Sequence, residues 1–268
     1  MDVLSVQGDA FSEYYLRTIL PQEAKLQARM DGAGATAAYR TASHLFRHAQ
    51  RELIGTRHPR VTRRILLGPL AELLGWELGE PEAVETLFGS EEGSAAMRVP
   101  GSPEIMCRLL VAAGDASLDQ PPEGLHRRYA PYHSIVRILE QEGLTWGILL
   151  NGFRLRLVRR SEGFVASHLE FDLDAIGRDL AGAREAFGLL WGLLRRDAWA
   201  ATPSLLDEVV RLGREHQQEV GSLLGQQVPG AVEQLLRGAL QHPKNQERLA
   251  GFLTVSYTHL TLPTNREV

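Results

Sequence analysis

Cysteine is almost absent from the sequence, since Cys107 is the only one in 268 residues. A lone cysteine excludes an intramolecular disulfide, and it excludes zinc and iron–sulfur sites that need several thiolates. Cys107 lies within an apolar run, residues 105–111, so we predict a small buried side chain and not a reactive thiol. With 44% apolar residues, the chain can still bury a substantial core in one or two domains.

Long apolar runs are also missing. Residues 1–29 show no basic segment followed by an apolar one, and no stretch of the sequence is apolar over enough residues to cross a bilayer. The sequence therefore indicates neither export nor membrane insertion, and we expect a cytoplasmic protein.

Lysine is nearly as rare as cysteine. Only Lys25 and Lys244 are lysines, so the other 27 of the 29 Lys and Arg residues are arginines. The net charge of −4 gives no overall attraction to nucleic acid. A planar guanidinium suits paired contacts with phosphates and base edges, but GC-rich coding also favours arginine together with Ala, Gly and Leu. The arginine bias therefore has a compositional explanation beside a functional one.

The end of the sequence differs from the rest. Residues 255–268 contain no Ala or Gly, although both are frequent before them, and residues 255–264 resemble the translation of a sequencing adapter. We interpret residues 255–268 as a non-native tail and expect the reading frame to have been cut near Thr254. A natural tail with β propensity is the alternative.

Helices are predicted for the first third of the chain. Apolar spacing indicates helices over residues 11–20, 36–53 and 61–74, the first ending before Pro21 and the last at Gly75.

The pattern then changes to short apolar runs bounded by Gly and Pro. These runs predict strands at residues 95–99 and 105–112, the second largely buried. A polar loop follows at residues 114–128. Residues 131–142 have the spacing of an amphipathic helix that begins with a proline.

The clearest local signal is an Asn-Gly dipeptide at positions 151–152, between apolar runs at residues 146–150 and 153–158. This pattern predicts a β-hairpin with a primed turn. Because side chains alternate along a strand, Arg154 and Arg156 are expected on one face, with their guanidiniums about 7 Å apart.

One more strand and a helical region complete the predicted elements. The strand is expected at residues 165–171. From residue 183 onward we predict helices over residues 183–199, 204–227 and 231–240. Prolines at positions 203 and 229 are expected to break this region.

The predicted strands lack a complete catalytic set. A nuclease of the PD-(D/E)xK kind carries an acidic residue on one strand and an acid-x-Lys trio on the next, because two carboxylates hold the metal and the lysine polarises water. Neither lysine lies between residues 95 and 158, so the trio cannot form there. Glu104, Asp115 and Asp119 lie near strand ends, where they could bind a metal or simply be solvated. We predict no catalytic residue and no metal site.

Arginines cluster at residues 57–64, 127–128, 154–160 and 195–196. If two or three clusters converged on one face, they could contact phosphates despite the negative net charge, whereas isolated solvated arginines are the alternative. The candidates selected for nucleic-acid binding are Arg127, Arg128, Arg154, Arg156 and Arg159.

Residues 145–157 (TWGILLNGFRLRL) resemble a segment near the front of large restriction–modification proteins that fuse a nuclease-type domain to an adenine-specific DNA methyltransferase. In that family the hairpin closes the nuclease-like sheet. The similarity covers most of residues 11–254, on spaced patterns without catalytic residues. The other segments that carry it are residues 11–16 (FSEYYL), 168–173 (HLEFDL), 186–190 (AFGLL), 195–199 (RRDAW), 215–216 (EH) and 232–240 (VEQLLRGAL).

The fold is expected to be α+β, and the resemblance implies an order of domains. Residues 1–90 would be a helical N-terminal region, and residues 91–180 a nuclease-like core with a small mixed β-sheet of degenerate PD-(D/E)xK character. Residues 181–254 would begin a helical spacer, followed by the tail at 255–268. A methyltransferase domain that binds S-adenosylmethionine is expected beyond the cut, and no cofactor is expected in this chain.

The sequence departs from the family's nuclease pattern at residues 108–112. This strand would carry the acid-x-Lys element, but its residues at the relevant places are apolar, so DNA cleavage is not expected. Methyl transfer by this chain is not expected either, because the glycine-rich cofactor loop and the base-clamping loop are both missing.

We therefore expect a non-catalytic N-terminal part of an adenine-specific DNA methyltransferase from a restriction–modification or phage-defence system. Its partners would be DNA, positioned through Arg154, Arg156 and nearby cations, and its own methyltransferase domain, with no membrane. Two alternatives stay open. One is a divergent metal-dependent DNA endonuclease that uses Glu104, Asp115 or Asp119, and the other is a protein-binding subunit of a defence complex.

Overall fold

The computed structural model describes residues 2–30, 32–122, 129–160, 167–200 and 203–241. The chain divides into two units, residues 1–214 and a second unit that begins at Glu215. Helices and a mixed β-sheet make up the first unit, which confirms the predicted α+β class. The tail at residues 255–268 lies outside the described residues.

In the part of the chain that the structure describes, eight strands form one mixed sheet. Its order is β1-β8-β7-β6-β5-β4-β2, and β3 also pairs with β4. Neighbouring strands are antiparallel except β5 and β6, which are parallel. The strands are β1 (Leu4–Gln7), β2 (Glu77–Leu78), β3 (Glu82–Thr86), β4 (Gly89–Arg98), β5 (Cys107–Val111), β6 (Trp146–Leu150), β7 (Arg154–Arg159) and β8 (His168–Asp172).

Helices surround this sheet and continue after it. Two π-helical turns, Tyr15–Ile19 and Arg63–Leu67, and a 3₁₀ turn, Leu20–Gln22, adjoin the N-terminal helices. The α-helices are α1 (Ala24–Arg29), α2 (Gly32–Leu53), α3 (Pro59–Thr62), α4 (Gly68–Leu74), α5 (Pro131–Glu142), α6 (Leu173–Gly177), α7 (Ala183–Leu194), α8 (Arg196–Ala200) and α9 (Leu205–Gln241). None of these described helices combines the length and the apolarity that crossing a bilayer requires.

The two faces of the sheet have different coverings. On one face, Leu155, Leu157 and Phe171 belong to the main hydrophobic core, which also includes apolar residues of α2, α4 and α7. On the other face, Ile135 and Leu139 of α5 pack in a smaller apolar cluster with residues of β5, β6 and β7. Because both faces of β5 and β6 are covered, neither strand shows an apolar–polar alternation, and Arg108 is the one charged residue in the two strands.

Local sequence signals predicted several helix boundaries correctly. The helix α5 begins at Pro131 and ends before Gly143, whose φ of 71° is left-handed, as glycine allows. In the same way, α4 ends before Gly75, with a φ of 81°. The predictions for both helices are confirmed, as is the buried position of Cys107 on β5.

The predicted hairpin is confirmed, since β6 and β7 pair antiparallel with Leu150 opposite Leu155. Its turn, however, is not of the primed type, because neither Asn151 nor Gly152 has a positive φ. The side chain of Asn151 instead closes the turn, accepting hydrogen bonds from the backbone N–H groups of Phe153 (2.8 Å) and Arg154 (2.7 Å). Such a side-chain turn replaces the backbone geometry that the dipeptide usually indicates.

Glycine is required in this turn for close packing. The N–H of Gly152 donates to the carbonyl oxygen of Gly114 at 2.6 Å, and a Cβ at position 152 would lie 2.7 Å from that oxygen. A Cβ on Gly114 would lie 2.0 Å from the carbonyl oxygen of Leu53, at the end of α2. The two glycines thus let the hairpin turn, the loop after β5 and the end of α2 meet.

Two predictions about secondary structure were wrong. The first third of the chain contains β1, β2 and β3 as well as helices. These short strands carry little apolar pattern of their own, β1 pairs with a strand that is distant in sequence, and β3 pairs with β4 in an irregular register. The second error concerns Pro229, which lies inside α9 and does not end it. Proline displaces the carbonyl four residues earlier, here at Gly225, in an exposed segment where water can accept that carbonyl.

Candidate functional site

Two of the selected arginines lie side by side on the face of the sheet that α5 covers. Arg154 is directly opposite Asp172 on the neighbouring strand β8, and Arg156 is opposite Glu170. This placement confirms that the two arginines share one face of β7. Both have a carboxylate as their cross-strand neighbour, and opposite charges in that position stabilise a sheet.

Arg156 uses all three of its guanidinium nitrogens in ion pairs. Its two terminal nitrogens donate to the two carboxylate oxygens of Asp119, at 2.6 and 2.7 Å. Its Nε donates to Oε2 of Glu170 at 2.5 Å. The side chain of Arg156 is only 9% exposed, so these contacts take place largely away from water. The paired, charge-assisted geometry leaves this arginine little capacity for another anion.

Arg154 is compensated in a similar way. Its Nη1 lies 3.2 Å from an oxygen of Glu170 and 3.2 Å from an oxygen of Asp172. Asp172 also accepts a hydrogen bond from the backbone N–H of Ala175 at 2.9 Å, which caps the start of α6. Two cations therefore face three carboxylates, so the positive charge of both arginines is fully compensated from within the chain.

The pKa values reflect this mutual compensation. Burial by itself lowers the pKa of Arg156, but hydrogen bonds to Asp119 and Glu170 outweigh burial and raise the pKa above its ordinary value. The same hydrogen bonds from Arg156 lower the pKa of the Asp119 carboxyl, against the opposing effect of burial. Both partners therefore stay ionised at neutral pH.

A buried histidine borders this network. Burial, and then the positive charge of Arg156, lower the pKa of His168 to about 4. Its Nδ1 has no hydrogen-bond partner among the residues that the structure describes. The ring of Tyr132 lies 5.5 Å from that of His168, and the Tyr132 hydroxyl accepts a hydrogen bond from the N–H of Ser167 at 3.0 Å. His168 is thus neutral at pH 7 and unsuited to exchange protons there.

A second ion-pair group lies on β5, the strand on which we expected no acid-x-Lys element. Arg108 on β5 donates from Nε to Glu142 at 2.6 Å, and its terminal nitrogens contact Glu142 and Glu82. The Arg108 side chain is 5% exposed. The remaining side chains of β5 are a cysteine and apolar residues, so this strand carries a neutralised cation and no metal-binding carboxylate.

The three carboxylates considered for metal binding do not form a group. Glu104 is exposed in the loop between β4 and β5, and Asp115 is exposed beside the N–H of Gly55, at 3.4 Å. Asp119 is held by Arg156. Among the described residues, no three His, Cys, Asp or Glu side chains are arranged to hold a metal ion.

The other selected arginines do not join Arg154 and Arg156. Arg159 alternates to the opposite face of β7, where its guanidinium lies 5.8 Å from the centre of the Trp146 ring. Burial and the charge of Arg214 lower the pKa of Arg159, and its Nε has no hydrogen-bond partner in the described ranges. Arg127 and Arg128 lie outside the described residues.

A different set of basic side chains, three arginines and two histidines, lies on α2 and was not selected from the sequence. Its members are all exposed and follow one another on a single side of the helix. We call this set the α2 basic face, and it consists of Arg40, His44, Arg47, His48 and Arg51. None of them pairs with a carboxylate among the described residues. The signal was their spacing of 4, 7, 8 and 11 positions from the first arginine, which a search for contiguous basic runs overlooks.

Comparisons with protein-family models, with curated proteins and with solved structures find no match to this chain.

Proposed function

We propose that this chain is a non-catalytic module of a DNA-modification system, which supports an adenine-specific DNA methyltransferase domain and helps to hold its DNA. The likeness of residues 145–157 to restriction–modification proteins motivates the DNA partner and the methyltransferase domain. In this proposal S-adenosylmethionine is bound by the methyltransferase domain and not by the present chain, and the protein acts in the cytoplasm.

One observation carries the non-catalytic role. Two arginines on the α5-covered face of the sheet are fully occupied by carboxylates, Arg156 by Asp119 and Glu170 and Arg108 by Glu82 and Glu142. A metal-dependent nuclease needs carboxylates that are open to a cation and a lysine beside the attacking water. Here the carboxylates are bound to arginines, so the sheet is suited to stability and not to hydrolysis.

A separate observation supports the proposed role in positioning DNA. The net charge of the chain is −4, yet the exposed cations of α2 have no carboxylate partner among the described residues. Phosphate contacts by such side chains do not depend on the sequence of the DNA. A positioning module would need this kind of binding, while recognition of the target adenine would belong to the methyltransferase domain.

The proposal is tested with the purified full chain and a fluorescently labelled DNA duplex. We expect binding that weakens steeply as salt is raised, no methyl transfer from labelled S-adenosylmethionine, and no nicking of supercoiled plasmid with Mg²⁺. Adenine methylation by this chain alone would overturn the proposal. So would Mg²⁺-dependent nicking that disappears in Glu104→Ala, Asp115→Ala or Asp119→Ala, because that result would establish the nuclease.

An exposed apolar series on α9 favours a second candidate, a protein-binding subunit of a defence complex. Within the second unit, large apolar side chains recur at helical spacing and are 39% to 74% exposed. They are Val220, Leu223, Leu224, Val228, Val232 and Leu235. A set of this kind is typical of a contact with another protein. Indifference to DNA at every salt concentration, together with binding of a partner protein that Leu224→Glu abolishes, would favour this candidate over the first.

A further inference from the structure

Helix α2 presents cations to solvent along three turns. Arg40, Arg47 and Arg51 lie on one line of the helix, and His44 and His48 lie beside that line. At a rise of 1.5 Å per residue, the face is about 16 Å long. We propose that the α2 basic face binds the phosphodiester backbone of duplex DNA. This inference deepens the proposed function, because it rests on the DNA partner and identifies the surface that holds it.

The orientation of this face is fixed by packing. The opposite side of α2 carries Ala42, Phe46, Ala49 and Leu53, each with no exposed surface. These residues belong to the main hydrophobic core, so the helix cannot turn its cations inward without losing that burial. The cations are therefore presented by a rigid element, which lowers the entropy that binding would cost.

The positive charge of the face is only partly offset by its surroundings. Across residues 40–64 there are seven arginines, and Glu52 is the only acidic residue. The nearby acidic residues on α6 and the loop after it already have partners, since Asp174 pairs with Arg178 and Asp179 pairs with Arg184. Arg47 forms no ion pair in the described ranges, and its hydrogen-bond contacts run from Nε to the Ser43 carbonyl oxygen and from Nη2 to the His44 ring, both at 3.3 Å. Its charge also acts on the Asp179 carboxylate, after the hydrogen bonds that Tyr39 and Arg184 donate to that carboxylate.

The contrast with the rest of the molecule strengthens the inference. Buried arginines such as Arg108 and Arg156 each contact two carboxylates, whereas the α2 arginines contact none in the described ranges. Arginine occupies the three cationic positions and lysine none, and a planar guanidinium can donate two parallel hydrogen bonds to one phosphate. Exposed Arg57, Arg60 and Arg64 follow within the same basic segment.

The dimensions suit a helix that lies along a DNA strand. Phosphates of one strand advance by about 3.4 Å per base pair along the axis, so a face of about 16 Å spans roughly four to five of them. An anionic membrane fits less well, because a helix that binds at a bilayer surface inserts its apolar side. The apolar side of α2 is buried in the core, and the exposed Ile54 follows its last residue.

The test compares two triple variants of the full chain that remove the same amount of charge. The first replaces Arg40, Arg47 and Arg51 by glutamine. The control replaces three surface arginines that already pair with carboxylates, the exposed Arg17 and Arg237 and the partly buried Arg196. Glutamine has nearly the helix propensity of arginine, so both variants should keep the circular dichroism spectrum and the melting temperature of the parent chain.

Binding of a labelled duplex is measured by fluorescence anisotropy between 50 and 200 mM salt, the range in which phosphate contacts weaken steeply. We expect the α2 variant to bind on the order of ten- to a hundredfold more weakly at the low end of that range. The slope of log K against log salt should become shallower by about 2.7, or 0.9 for each lost contact. The control should stay within about twofold of the parent chain, since its arginines are already neutralised.

The possible failures are distinguishable. If the parent chain binds no duplex at any salt concentration, both the inference and the DNA partner of the proposed function are overturned. If the parent chain binds and the α2 variant binds as well as the control, only the inference is overturned. Binding to vesicles that contain phosphatidylserine, lost in the α2 variant and accompanied by no DNA binding, would overturn it in favour of a membrane surface.

Discussion

Replacing Arg156 by methionine should destabilise the first unit substantially. The substitution keeps an unbranched side chain of comparable reach but leaves Asp119 and Glu170 without their shared cation. Removing one partner of a fully buried ion pair costs about 3–5 kcal/mol, because the other charge stays buried without compensation. Here the Glu170 side chain is 13% exposed and keeps its contact with Arg154, while Asp119 is 60% exposed and regains water.

The expected loss is therefore smaller than for a fully buried pair, about 2–3 kcal/mol in the free energy of unfolding. Urea denaturation followed by tryptophan fluorescence measures it directly. For a unit of this size the melting temperature should fall by about 4–12 °C, at about 2–4 °C for each kcal/mol. Asp119→Asn is the matched control and should cost less than about 1 kcal/mol, since Arg156 keeps Glu170.

A double-mutant cycle of Arg156→Met with Glu170→Gln isolates the contact itself. We expect a coupling energy of about 1–3 kcal/mol, as for residues within one ion-pair network. The reasoning is refuted if the two substitutions are additive, or if Arg156→Met costs less than about 0.5 kcal/mol. In either case the ion pairs would contribute nothing to stability, and the guanidinium of Arg156 could exchange them for contacts with a phosphate.

Three further outcomes are expected. The pKa of His168 is lowered to about 4 in the folded state, so the unfolded state binds an extra proton as pH falls from about 6.5 to 4. The free energy of unfolding should therefore drop across that window by roughly 3 kcal/mol. His168→Gln should remove this pH dependence. Burial raises the pKa of the Cys107 thiol, so iodoacetamide should modify this thiol only after the chain is denatured. Rapid labelling of the native chain would contradict the burial of Cys107. Gly114→Ala should lower the free energy of unfolding in urea by more than about 2 kcal/mol, since the new Cβ would meet the Leu53 carbonyl oxygen. Gly188→Ala is the control and should be neutral or stabilising, because a Cβ at position 188 meets no atom within 4 Å.

The sequence predicted best those elements whose signals are local. Pro131 and Gly143 bound α5, and the Asn-Gly dipeptide at 151–152 marked the hairpin, because turn and capping chemistry act over a few residues. The type of turn was missed, because the Asn151 side chain closes the turn in place of the backbone geometry that the dipeptide usually indicates. The boundaries of helices and strands were thus predictable where residues close in sequence determine them.

The candidate site was harder to predict, because its partners are distant in sequence. Alternation placed Arg154 and Arg156 on one face correctly, but it could not indicate that Glu170 and Asp119 would neutralise them. Asp119 lies 37 positions before Arg156, in a loop with no periodic pattern. The basic residues of α2 recur at helical spacing in the sequence. That spacing is equally typical of an ordinary solvated helix face, and the structure adds that these residues are exposed and form no ion pair with a described carboxylate.

The pairing of β1 with β8 determines when the sheet can be finished during synthesis. Leu4 lies opposite Phe171, so β1 leaves the ribosome long before β8, the strand that gives it its backbone hydrogen bonds. Contacts of such long range close late and slow folding. Until β8 has emerged, β7 presents an open edge to other nascent chains, and a ribosome stalled before that point would hold a chain prone to association.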